Sequence, residues 1–112
     1  MAHYLVELYS ANAAWRALPN ANRERFLASI HAGMGGLSSL GIEALALGEA
    51  DADIDHASGH RYLGLWRFPN TTARDALLAG IRDSGWYDYF DHVNAACDAG
   101  GLADHLAVLA TA

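Results

Sequence analysis

The hydrophobic and polar positions of residues 3–9 (HYLVELY) sort by parity. Successive strand side chains point to opposite faces of a sheet. Tyr4, Val6 and Leu8 therefore share one face, fit for a core. His3, Leu5, Glu7 and Tyr9 share the other, which mixes apolar bulk with an imidazole, a carboxylate and a phenol. The strand ends near Ser10, and Asn12 then stands as the N-cap of a short helical turn over 13–18 before Pro19 restarts the chain. Over 20–40 the apolar residues Phe26, Ile30, Gly33/Met34 and Leu37 recur at spacings of three and four, which predicts a longer helix. Its glycines at 33, 35 and 36 weaken it by about 1 kcal/mol each relative to alanine. They also let it lie close on a sheet, and Gly41 is the expected C-cap.

Residues 42–48 (IEALALG) are read as a strand from their place between a helix stop and the acidic, glycine-bearing loop 49–60. Residues 61–68 (RYLGLWRF) form the clearest strand of the chain, ended by Pro69. Asn70, Thr71 or Thr72 caps a second helix with Ala73, Ala76, Leu77, Gly80 and Ile81 on one face. An aromatic run, Trp86-Tyr87-Asp88-Tyr89-Phe90, leads into a short last strand over 92–97 (HVNAAC). Gly100-Gly101 breaks it, and 102–109 forms a terminal helical segment with Leu102, Leu106 and Leu109 in line. The order β-α-β-β-α-β is the split βαβ, or ferredoxin-like, pattern. It predicts an α+β domain over 1–112, with a four-stranded antiparallel sheet, helices on one face and an extra C-terminal helical segment. The face without helices needs cover, and a second copy in a two-fold homodimer is the expected source.

Composition adds to that picture. A hydrophobic share of 53% in 112 residues is high for a small monomer and fits a face buried between copies. No run approaches the roughly 18 unbroken apolar residues of a membrane span. The chain starts directly on a strand, with no basic region, apolar run or cleavage site, so a cytoplasmic location is expected. The single cysteine, Cys97, rules out an internal disulfide framework, fits a reducing compartment and is expected in the core. The formal charge of −6, from seven arginines, no lysine and 13 acidic residues, comes without a basic cluster. Nucleic acid and membrane are thereby excluded as expected partners.

The third strand ending LGLWRFPN before a helix, and the run SGWYDYFDHVN into the last strand, resemble the dimeric α+β barrel superfamily over about residues 3–97. The whole chain is also similar to a family of small bacterial proteins that begin HYLVELY and carry HRYLGLWRFP. The superfamily includes cofactor-independent oxygenases of polyketide aromatics, haem-degrading oxygenases, lactone isomerases and metal- or stress-linked proteins. The resemblance implies paired sheets, a lumen on the helix-free face, and the strand order 4-1-3-2 with antiparallel neighbours. Tyr9 would then lie beside His92 and Tyr62, and Glu7 near Asn94 and Gly64. Leu63 and Leu65 are expected beneath the helices, which sends Tyr62 and Trp66 to the lumen with Glu7, Tyr9, His92 and Asn94.

That constellation suits proton transfer at an aromatic or enolisable carbonyl compound. His92 is the expected general base, set by Glu7. Tyr9 or Tyr62 would hold a developing enolate, and Trp66 would wall a planar ligand. Trp86 and Phe90 would rim the pocket, and His60 would meet an anionic substrate from the loop. A haem-degrading role would need a histidine on the second helix and an asparagine on the first strand, and the chain has neither. His56 and His60 with Asp55 have a metal-like spacing, but Gly59 argues for a solvated loop, and no metal or organic cofactor is expected. His31 and His105 are expected at the surface. The sequence thus points to a homodimer that binds a small molecule and acts as a cofactor-independent oxygenase, isomerase or cyclase. Its alternatives are a non-catalytic ligand- or metal-binding homodimer and a purely structural module with a dry interface.

Overall fold

The computed structural model describes residues 2–112. Four strands, β1 (His3–Ala11), β2 (Glu43–Glu49), β3 (Tyr62–Phe68) and β4 (Phe90–Asp98), form one antiparallel sheet in the order β2-β3-β1-β4. Among the described residues five α-helices join and flank them: α1 (Ala13–Ala17), α2 (Asn20–Met34), α3 (Thr71–Asp83), α4 (Trp86–Tyr89) and α5 (Leu102–Leu109). This is the expected ferredoxin-like α+β arrangement with a helical tail.

Local chemistry sets the boundaries. Asn12 Oδ1 accepts from the Trp15 amide at 3.1 Å, and Asn70 Oδ1 accepts from that of Ala73 at 2.8 Å, so both predicted caps form. The long helix is shorter than the sequence suggests. It stops at Met34, the Gly35-Gly36 pair follows, and residues 37–40 turn as a short 3-10 helix ending at Gly41. Adjacent glycines remove the helical bias that a single one only weakens. Gly41 sits at φ 77°, and a Cβ there would come within 3.0 Å of Pro69 Cγ.

The register is the expected one: Tyr9 lies between Tyr62 and His92, and Glu7 between Gly64 and Asn94. The faces are reversed. Leu5, Trp66 and Phe68 form the core with Ile42 and with Ala73 and Leu77 of α3. The face carrying Leu5, Glu7 and Trp66 is therefore the one beneath the helices. The open face carries Tyr4, Val6, Leu8, Leu63, Leu65 and Val93, together with Cys97, which is exposed and not in the core. Parity sorts residues into two sets without saying which set the helices cover. The larger side chains win, because the gap between a sheet and a helix layer needs the depth of Trp66 and Phe68 to close.

Much of the chain stays uncovered. Every residue from Val93 to Ala112 is exposed, including Leu102, Leu106, Val108 and Leu109 of α5 at 53–74%. The radius of gyration is 16.0 Å, against about 13 Å for a compact domain of this length.

Candidate functional site

A cavity of about 250 Å3 lies between the sheet and its own helices, not on the helix-free face. Glu7 forms its floor beside Trp66, with Tyr9 at one end. Ile30 and Met34 of α2 and Leu77 and Ile81 of α3 supply apolar walls, and Leu47 of the edge strand β2 borders it. At interior packing density this holds on the order of ten to fifteen non-hydrogen atoms, a compact one- or two-ring ligand. Gly64, opposite Glu7, keeps the floor open. A Cβ there would come within 3.2 Å of both Glu7 Oε1 and Trp66 Nε1.

Glu7 is the buried charged residue of the core region, 4% exposed. A buried carboxylate must be hydrogen-bonded to persist, and both oxygens are. The Trp66 indole donates to Oε1, and His92 Nε2 lies 3.1 Å from Oε2. The Trp86 indole, which can only donate, lies 3.0 Å from His92 Nδ1. That contact assigns the tautomer: Nδ1 accepts, so Nε2 carries the proton and donates to Glu7, and to Asn94 Oδ1 at 2.7 Å. Tyr9 stacks on the His92 ring, 5.5 Å between centroids and 9° between planes, and Trp86 stacks on Phe90 at 4.1 Å. The aromatic run thus clamps an imidazole whose two nitrogens are both engaged. The imidazole is 2% exposed.

Burial first, then the negative charge of Glu7 and the neighbouring Tyr62, push the Tyr9 phenol above its ordinary pKa. It stays a neutral donor at physiological pH.

The structure brings together most of the residues singled out from sequence and separates others. Glu7, Tyr9, Trp66 and Trp86 line the cavity. His92 stands behind Glu7, and Asn94 is behind His92 at the outer surface. Tyr62 packs against Tyr9 at 5.6 Å, and Phe90 is buried beneath Trp86 and Trp15. His60 lies away from the cavity, its Nδ1 3.1 Å from Ser10 Oγ. His56 pairs with Asp55 at 2.9 Å in full solvent, and among the described residues no three His, Cys, Asp or Glu side chains converge as a metal site requires. Sequence reasoning missed the walls Ile30, Met34 and Ile81. Their signal was present as helix stripes, which read as core. A larger hollow, about 510 Å3, lies on the open face between Leu8, Leu63 and the loop carrying Ile54 and His56. None of the ionisable residues that line it is buried, in contrast to Glu7 in the smaller cavity.

The model described as "Family of unknown function (DUF6616)" matches residues 2–112, so the chain belongs to that family. No curated protein matches it at significant similarity. Among solved structures it is similar to a variant of the chlorite dismutase from Candidatus Nitrospira defluvii, with a TM-score of 0.71 and 11% identity over 89% of this chain and 40% of that one. The same enzyme in complex with imidazole gives 0.65 and 10%, over 93% and 43%. The RPA0582 protein, solved in methylated form, gives 0.62 and 12%, over 90% and 82%. The chain spans about two-fifths of the dismutase chains. At these identities the likeness is one of fold, and it bears out the ferredoxin-like α+β fold that the resemblance to dimeric α+β barrel proteins implied.

Haem-degrading proteins are among those the sequence resembles, which makes haem a group to test. Haem iron takes His, Cys, Met or Tyr ligands. Of these the cavity lining offers Met34 and Tyr9, and Tyr9 is held protonated. Both His92 nitrogens are committed, and α3 carries no histidine. The residues present do not fit a haem.

Proposed function

We propose that this member of DUF6616 is an enzyme that needs no cofactor, in which Glu7 removes a proton from a compact, largely apolar carbonyl compound of aromatic or polyketide-like type. The observation that carries this reading is a carboxylate at the floor of an apolar cavity, oriented through both oxygens by N–H donors. Geometry supports Glu7 rather than His92 as the base, since His92 Nδ1 already accepts the Trp86 proton. His92 and Trp86 are positioning residues.

In the first step Glu7 takes a proton from the carbon next to the carbonyl. The C–H bonding pair moves into the C–C bond, and the carbonyl oxygen becomes an enolate. Tyr9, kept neutral by its surroundings, donates to that oxygen. Return of the proton to another carbon gives isomerisation, and attack on a second carbonyl gives cyclisation. Dioxygen as co-substrate gives oxygenation. Trp66 and the α2 and α3 walls hold the ring system and exclude water. The enzyme works in the cytoplasm as a homodimer paired through its open sheet face. Supporting the dimer, the chain exposes 7516 Å2, about 1,500 Å2 more than a compact monomer of its mass.

A second reading, ligand binding without turnover, is favoured by the two N–H donors that already satisfy Glu7. Proton NMR in D2O separates the two with a panel of one- and two-ring aryl ketones. The expected result is exchange of the α-proton of at least one ketone by the wild type, slowed on the order of a hundredfold or more in Glu7→Gln. Ketones that bind without exchange would establish the binding module instead.

A further inference from the structure

We propose that α5 of one copy docks on the β2 edge of a second copy, at the mouth of the Glu7 cavity, so that the site is completed by the partner. This rests on the homodimer reading above.

An isolated helix of eight residues is not stable in water, so α5 needs a surface. It has none among the described residues of its own chain, where Leu102, Leu106 and Leu109 lie in line and all three are exposed. At the other side of the sheet, β2 is an edge strand in which every residue is exposed, with Leu45 at 42% and Leu47 at 55%. A long exposed apolar edge is a feature that folded proteins cover. The chain therefore carries a helix without a bed and a bed without a helix.

They do not meet within one copy, where every residue of β2 and of α5 is exposed. α5 leaves from β4, three strand spacings or about 14 Å from β2. Gly101, from which α5 starts, is extended. When two open faces stack about a two-fold axis along the strands, β4 of each copy comes to lie over β2 of the other. The helix that follows β4 then arrives at the partner's β2. The surplus surface of about 1,500 Å2 per chain matches one partner's share of an obligate homodimer interface, about 1,000–2,500 Å2. A foreign partner would have to cover a sheet face, a bare edge and a loose helix at once. A second copy satisfies all three reciprocally.

The cavity is drawn into this arrangement through Leu47, which borders it, reaches over Gly64 and is still 55% exposed. An α5 seated there closes the open side of the pocket.

The test uses full-length chains with Cys97→Ala, one carrying Leu47→Cys and the other Leu106→Cys. After mixing and re-equilibration they are weighed by sedimentation velocity and then treated with a short bismaleimide. A dimer that cross-links strongly in the mixture is expected, with either variant alone giving at least about tenfold less product. Leu106→Asp with Leu109→Asp is expected to weaken the dimer on the order of a hundredfold. A dimer that does not cross-link in the mixture overturns the α5 docking and leaves the homodimer intact. A monomer overturns both. A doubly substituted chain, Leu47→Cys with Leu106→Cys, that cross-links internally as a monomer overturns both as well.

Discussion

At the scale of single residues, the site turns on which atom carries which proton. His92, the base expected from sequence, is held as an Nε2–H donor by the Trp86 indole, so the proposed reaction gives the basic role to Glu7. Tyr9 reports the same environment independently. Its neutral form is favoured in the folded protein, whereas in the unfolded chain it ionises near pH 10. Its contribution to stability is therefore complete below about pH 10 and is lost as the pH rises through the higher folded value. Absorbance titration near 295 nm is expected to resolve one of the five tyrosines as a late-ionising group, and Tyr9→Phe should remove that phase. A Tyr9→Phe curve with the late phase intact would show that the neutral donor lies elsewhere.

At the scale of elements, the joint between the 3-10 turn and β2 is the most constrained. Gly41 is in the left-handed region and lies against the Pro69 ring. Gly41→Ala is expected to cost about 1–3 kcal/mol, measured by urea denaturation, and a loss below a few tenths would show that the turn relaxes freely. Strand pairings were legible through the family resemblance, which implies the order 4-1-3-2 and sets the end of β1 beside the starts of β3 and β4. Fixing Tyr9 opposite Tyr62 and His92 fixes Glu7 opposite Gly64 and Asn94. Which face the helices cover was not legible, since that depends on the volume that α3 must meet, not on parity. The cavity walls were illegible for a related reason: Ile30 and Ile81 show the same periodicity whether a helix rests on the sheet or stands off it. The end of α2 at Met34 depended on reading Gly35-Gly36 as a stop.

At the scale of the whole molecule, a single copy leaves an apolar sheet face, an apolar edge and an apolar helix in solvent, which the proposed homodimer would cover. Assembly linked to folding makes stability depend on concentration. The melting temperature is expected to rise with protein concentration over the micromolar range, by a few degrees per tenfold, and a concentration-independent value would mark a monomeric unfolding unit.

The placement of the indoles has one more consequence. Of the three tryptophans, Trp66 and Trp86 line the cavity and donate their N–H groups to the two ends of the Glu7–His92 pair, while Trp15 packs outside it against Phe26, Tyr89 and Phe90. The protein thus carries its own optical probe. Whatever fills the pocket, or moves a proton at Glu7, alters the polarity around two emitting groups at once, so occupancy can be followed by intrinsic fluorescence without a label, a coupled assay or an identified ligand.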